Sequence, residues 1–328
     1  MFVDLSKIKP KIMEEKILLS TFIIRLKDRN SNDLLLSSID GGPDFIDVFM
    51  EFTEDIFKNT NSSGDPASGH VKHLTLDSPA TLVRKNRVIY GFLSSGVSGE
   101  KYTLIDTQTD ETAMDVEPHH AAFRNVFFYI YLPRMKNTGY LVLQKKINFG
   151  IKGKFKSSLN DFIRKKEYYN FRVEVNNILH HKVYNKMMTM GKLKKVDLIK
   201  KRIPKSIEKY VSNGNEPEEI KGTLRTSITS RGSLPEYWKD YIGRLFNQDN
   251  GDAGTVEIQS FEKDYDDIEF ELELEGKTKT FYVINKQRIQ SDVNVTSNIE
   301  IVDGEPTIAS LIQEAKGLIK DVSEISPS

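Results

Sequence analysis

Lys146, Lys152, Lys154 and Lys156 recur at even positions of one stretch, with Gly150 and Gly153 among them. Ammonium groups attract phosphate, and glycine lets a backbone approach a ligand closely. These lysines alternate with Ile147, Phe149, Ile151 and Phe155. A period of two in an extended chain puts apolar side chains on one face and cations on the other. A short helix would then begin near Ser157, with Leu159, Phe162 and Ile163 on its apolar side. A second basic run, from Lys192 to Ile203, adds Lys194, Lys195, Lys200, Lys201 and Arg202 and is expected to be helical. Aromatic residues lie among these charges, and Tyr168 and Tyr169 are the candidates for stacking on bases. Basic grooves with aromatic platforms hold single strands without sequence preference. The expected partner is therefore DNA or RNA.

A different chemistry can be drawn from Gln144-Lys145-Lys146, which follows the apolar run Tyr140 to Leu143. Restriction-type nucleases end a strand in an acidic residue or glutamine, then any residue, then lysine. An upstream carboxylate completes their metal site. Here Gln144 and Lys146 would take those roles, Asp115 or Glu117 would be the upstream acid, and Mg or Mn the cofactor. On the nucleic-acid-binding alternative no cofactor is expected. The six histidines fall into three pairs, His70 with His73, His119 with His120, and His180 with His181. Their spacing matches no metal motif, and no metal site is assigned to them. The acidic cluster Asp264, Asp266, Asp267, Glu269, Glu271 and Glu273 could hold a divalent cation, reads more simply as the wet face of a strand, or forms a strip that covers the basic stretch. Serine-hydrolase elbows, P-loops, dinucleotide-binding glycines and EF-hand loops are absent from the sequence.

Elements must position these groups, and several are legible. Ile17 to Leu26 reads as a buried strand. Asp40 to Pro43 reads as a helix start, followed by the stripe Phe45, Phe49, Phe52 and Ile56. Asn59 to Gly69 is expected to be a loop. Short strands are expected at Val71 to Leu76, Arg87 to Leu93 and Tyr102 to Asp106, and Thr107 to Pro118 shows no periodicity. Val126 to Leu132 and Tyr140 to Leu143 form a strand pair, followed by a strand at Tyr169 to Val175 and a helix-prone piece at Asn177 to Met190. Near the end, Ile268, Phe270, Leu272 and Leu274 alternate with glutamates and turn at Glu275-Gly276-Lys277 into a second strand. A three-residue loop would set Phe270 opposite Tyr282 and Glu273 opposite Lys279. A helix follows Pro306.

The chain has 328 residues, 38% hydrophobic and 29% charged, and no cysteine. Disulfides, thiolate metal sites and cysteine nucleophiles are therefore excluded. No apolar run is long enough to cross a membrane, so none is expected as a partner, and a cytoplasmic protein is expected. The net charge of zero hides a strong segregation: −5 over residues 1–133, +16 over 134–210 and −11 over 211–328. Such asymmetry speaks of partners rather than fold. The expected architecture is α+β, with a largely antiparallel sheet in an N-terminal region, 1–122. A central strand pair and basic helical segment, 123–212, would continue it. An acidic α+β domain, 213–328, would follow the break at Asn213 to Pro217. The basic segment would bind nucleic acid and the acidic domain could bind a protein partner. The alternatives are the nuclease above or a non-catalytic subunit whose basic surface meets an acidic protein. The lysine-, isoleucine- and asparagine-rich composition suits an AT-rich bacterial genome, and with it an accessory role in a prokaryotic defence or mobile-element system.

Overall fold

A computed structural model of the chain describes residues 16–64, 69–146, 151–168, 170–201, 222–247, 256–258, 261–284, 286, 289 and 292–323. The protein is α+β with largely antiparallel sheets. In chain order the first elements are β1 (Ile17–Lys27), β2 (Asp33–Leu34), α1 (Phe45–Lys58), β3 (Asn61–Ser63), β4 (Val71–Leu76), β5 (Thr81–Val83) and β6 (Val88–Ser98). Next come β7 (Tyr102–Asp106), β8 (Glu111–Val116), β9 (Ala122–Tyr131), β10 (Thr138–Lys146), α2 (Lys152–Lys165), β11 (Arg172–Asn177) and α3 (His181–Met190). Then follow β12 (Lys192–Lys200), β13 (Leu224–Thr229), α4 (Glu236–Asn247), β14 (Val256–Ile258), β15 (Phe261–Tyr265), β16 (Asp267–Leu274) and β17 (Lys277–Tyr282). The last are β18 (Asp292–Asn294), β19 (Ile301–Val302), β20 (Glu305–Pro306) and α5 (Ile308–Ser323).

Contacts divide the chain into two compact units. Of the described residues, the first takes 16–20, Ile24–Val175 and Asp292–Gly317, and the second takes Thr21–Ile23, Asn176–Ser291 and 318–323. The first unit is built on a sheet ordered β11-β1-β10-β9-β6-β4-β3, with β2 and β18 also paired to β1 and β5 to β6. Continuous apolar runs in β1 and β9 fit strands buried on both faces. Asp44 caps α1, its carboxylate accepting the Ile46 amide at 3.0 Å. The Phe45, Phe49, Phe52 and Ile56 stripe of α1 is fully buried. Phe49 meets Phe128 of β9 at 6.3 Å between ring centroids. Arg87, at the start of β6, clamps Asp44 with two bonds of 2.6 and 2.8 Å. Thr107 to Pro118 departs from expectation. Its residues Glu111 to Val116 form β8, an exposed ribbon with β7 in which Thr103 donates to Asp115 at 2.7 Å. The expected loop after α1 likewise holds a strand, β3, which pairs with β4.

The second unit has a sheet ordered β13-β12-β16-β17. Its core stacks Tyr184 on Phe246 at 4.4 Å and Phe270 on Phe281 at 5.3 Å. The β16–β17 hairpin closes through two residues, Glu275 and Gly276, at φ +52° and +72°. Consecutive positive φ values mark the tight turn that matches strand twist. The register is accordingly one residue from that of a three-residue loop. Phe270 faces Phe281 and Leu272 faces Lys279. Residues 192–200, expected to be helical, are strand β12. Val196 and Leu198 alternate with Asp197, and a partner strand on each side satisfies the backbone. Asn213 to Pro217 lies outside the described residues. β12 and β13, on either side of 202–221, pair directly with each other from Lys195↔Thr229 to Lys200↔Leu224.

Candidate nucleic-acid interface

The lysine row does not lie on a strand face. β10 ends at Lys146, residues 147–150 fall outside the described set, and α2 runs from Lys152. Ile151 and Phe155 satisfy both a period of two and a helical step of four, so alternation alone could not decide between them. Burial decides it. Ile151, Phe155, Leu159, Phe162 and Ile163 are at most 2% exposed. Phe155 packs 6.1 Å from both Phe49 and Phe52 of α1, and Phe162 lies 5.7 Å from Phe52. On a helix Lys152 and Lys156 share a face and Lys154 points roughly the other way. Lys154 is 8% exposed and donates to Asn61 Oδ1 and Ser63 Oγ of β3, both at 2.8 Å. Burial pushes its ammonium down to about 8, Asp161 opposing and Lys72 assisting. Lys152 is lowered by burial and then by Lys156. Lys154 thus ties α2 to β3, and Lys152 and Lys156 remain toward the surface.

Beside α2 lies a groove of about 520 Å³. Lys27 and Arg29, at the end of β1, form one side. Arg164 of α2 and Arg172 of β11 supply the other cations, against the carboxylates of Asp28 and Asp161. Arg172 is braced by the Asp28 carbonyl at 3.2 Å, Ser31 at 3.0 Å and Glu174 at 3.3 Å. Lys27 pairs with Asp33 at 2.8 Å, and Arg164 pairs with Asp161. Arg29 is exposed and has no side-chain partner among the described residues. The floor is fixed by Asn160, whose carboxamide exchanges two hydrogen bonds with Val173, at 2.9 and 3.0 Å.

Tyr168 is placed here by the way α2 stops. The Glu167 amide bonds the Arg164 carbonyl at 3.1 Å and the Tyr168 amide bonds the Ile163 carbonyl at 3.0 Å, with Glu167 at φ +62°. That is the left-handed cap usually given to glycine. It turns the chain so that the half-buried Tyr168 ring leans on Phe171 at 6.2 Å. The Tyr168 hydroxyl is raised by burial and then by Glu51. Tyr169 lies outside the described residues. An aromatic ring beside Arg29, Arg164 and Arg172 can accept a base while the guanidinium groups take phosphate.

In the second unit the basic strand β12 is occupied by acidic neighbours. Lys192 faces Glu273 and Lys195 faces Glu271 across the β12–β16 ladder. Lys194 donates to the carbonyls of Arg231 and Gly232 at 2.8 and 2.6 Å and approaches Glu273 at 3.5 Å. Lys195 pairs with Asp197 at 3.0 Å. Lys200 lies 5.5 Å over the Tyr265 ring, and the Lys201 amide bonds Asp266 at 2.6 Å. Arg202 lies outside the described residues. The acidic strip expected to cover the basic run is here its neighbour in one sheet.

The groups suggested for a nuclease are not brought together. Gln144 is 4% exposed and its Oε1 accepts the Phe127 amide at 3.1 Å. Asp115 sits on the β7–β8 ribbon with Thr103, and Glu117 pairs with Lys101 at 2.9 Å. Neither lines the cavity that Gln144 borders. The side chain of Lys146 lies outside the described residues. Among the described residues no group of three His, Asp or Glu side chains could hold a metal ion. His73 is held between Ser62 and Ser98 at 2.8 and 2.7 Å. Among the described residues no helix is long and apolar enough to cross a membrane.

No family model matches this chain, and no curated protein matches it. The site therefore rests on its own chemistry. Lys27, Arg29 and Arg172 were not singled out from the sequence, because Lys27 and Arg29 are more than a hundred residues from the lysine-rich stretch. The only signal was the charged triplet Lys27-Asp28-Arg29 directly after a buried strand.

Proposed function

We propose that this protein binds nucleic acid along the groove beside α2. The observation that carries this is the Tyr168 ring, set by the α2 cap in a groove bordered by Lys27, Arg29, Arg164 and Arg172. Of the five cations of α2, Lys154 is turned inward, and Lys152 and Lys156 on its outer side add to the attraction. A strand laid in the groove places phosphates at Arg29 and Arg164 and a base against Tyr168. Stacking is tolerant of base identity, so affinity here is electrostatic and largely independent of sequence. In the second unit, Lys194 and Lys195 have acidic partners and contribute less.

Titration of the full chain with a fluorescent oligonucleotide at several salt concentrations tests this. With about four phosphate contacts, log K should fall against log salt with a slope of roughly −3 to −4. The double variant Arg29→Glu/Arg164→Glu should flatten that slope and weaken binding at least ~10-fold. Tyr168→Ala should weaken it by about 1–3 kcal/mol with little change of slope. Lys194→Gln should leave affinity nearly as it was. Absence of binding at low salt, or equal loss from the Lys194 variant, counts against the groove.

A further inference from the structure

The first unit contains another, larger cavity of about 1180 Å³ that shares no described lining residue with the groove. It opens where two strands part. The β9–β10 ladder runs from Tyr140↔Tyr131 to Leu143↔Phe128 and stops. The next β9 amide, that of Phe127, is satisfied by the side-chain Oε1 of Gln144 instead of by backbone. Gln144 is buried and lines the cavity, and its Nε2 has no partner among the described residues. Its acceptor is used, and its Nε2, which is not sealed from solvent, offers two donors to an oxygen acceptor that enters the cavity. Ser94 and Asn125 face each other across the β6–β9 ladder on the same wall.

The remaining lining sets the charge and shape of what fits. Phe92 and Phe123 supply rings, and Phe123 is 42% exposed although apolar. Asp77, in the turn after β4, and Glu305, on β20, bring two exposed carboxylates that have no side-chain partner among the described residues. Arg124 is the single cation among the described lining residues. Carboxylates beside aromatic rings select a planar cation, because a guanidinium both forks onto carboxylate oxygens and stacks on a ring.

We propose that this cavity binds an arginine-type ligand. The guanidinium sits at the Asp77 and Glu305 carboxylates, the methylene stem lies along Phe92 and Phe123, and a carbonyl oxygen accepts from Gln144 Nε2. The cavity exceeds the usual ~300–1,000 Å³ of a small-molecule pocket. It therefore has room for an arginine carrying amide groups on both sides, as within a peptide.

Isothermal titration of the full chain with N-acetyl-L-arginine methylamide tests the proposal. The matched citrulline derivative, which keeps the shape and loses the charge, is its control. The arginine probe should bind and the citrulline probe should bind at least ~10-fold more weakly, the loss of one charge-assisted contact. Asp77→Asn and Glu305→Gln should each weaken binding about 5- to 10-fold, and the double variant should abolish it. Both side chains are exposed and have no side-chain partner among the described residues, so melting temperatures of the variants should match the parent. Free L-arginine binding as tightly as the capped probe identifies the free amino acid as the ligand, and tighter binding of the capped probe identifies a peptide arginine. No heat at about 10 mM probe, where a ~1 mM site would be saturated, overturns the proposal. So does equal binding of the citrulline derivative, or unchanged affinity in the double variant.

Discussion

Single buried ionisable groups carry sharp consequences for pH. Lys154 ends its four methylenes among polar atoms of β3, and burial brings its ammonium to about 8 from the ordinary 10.5. Below pH 8 both folded and unfolded chains hold that proton and the penalty of burying it is fully present. Between about 8 and 10.5 the unfolded chain binds the proton and the folded one does not, so this group makes stability rise with pH. Lys154→Met should remove that alkaline rise, as read by denaturant unfolding at several pH values between 7 and 10. The parent showing no rise in that window would contradict the assignment. His180 behaves alike at lower pH. It is 4% exposed, and burial pushes it to about 4, with Lys279 and His181 adding and Asp321 opposing. From pH 6.5 down to about 4 the unfolded chain takes up a proton that folded His180 refuses, and stability falls. His180→Leu should flatten that acid limb, as read by denaturant unfolding between pH 4 and 7. Neither residue's role was legible beforehand. Lys154 looked like one member of a cationic row, and only the position of β3 beside α2 shows which lysine turns inward.

Elements were legible where one period explained the apolar residues and misread where two did. The α1 stripe and the helix after Pro306 each have a single periodicity, β1 and β9 are unbroken apolar runs, and the structure has all four. Phe155 belongs to both a period of two and a step of four, so α2 was begun some five residues late. β12 carries enough lysine to resemble a solvated helix. Its glutamate partners come between seventy and just over eighty residues later in the chain, so their pairing could not be seen locally. The end of α2 yields a direct test. Glu167 occupies a left-handed conformation that costs a non-glycine residue roughly 1–2 kcal/mol. Glu167→Gly should therefore stabilise the protein by about 1 kcal/mol, seen as a raised urea midpoint at constant slope. It should also leave oligonucleotide affinity intact, since Tyr168 keeps its place. A lowered midpoint would show that Glu167 contributes more by its contacts than the cap costs.

At the scale of the whole molecule, the segregation of charge along the chain does not survive folding of the second unit. β16 brings Glu271 and Glu273 against β12, and Arg225 of β13 bonds both Asp197 and Glu269 at 2.7 and 2.8 Å. Around α2 in the first unit, Arg164 and Lys165 pair with Asp161 and Asp55, while Arg29 has no side-chain partner among the described residues. A composition table could report the excess of charge but not which cations acquire acidic neighbours. The first unit is also closed by the chain's far end. β18 pairs with β1 from Leu18↔Asn294 to Ser20↔Asp292. Asp292 bonds Ser20 at 2.5 Å and Lys145 at 2.6 Å, and Thr296 accepts the Ile17 amide. A chain ended at residue 291 should lose amide-exchange protection in β1 and β10, and unchanged protection there would refute the dependence. The same closure has a consequence in time. Ile17 and Thr296 are 279 positions apart. At ~5–20 residues per second, a ribosome needs roughly 15 to 55 s to supply the second after the first. Throughout that interval β1 has emerged without the strand that completes it, and the Asn176–Ser291 part of the second unit is synthesised before the first can be finished.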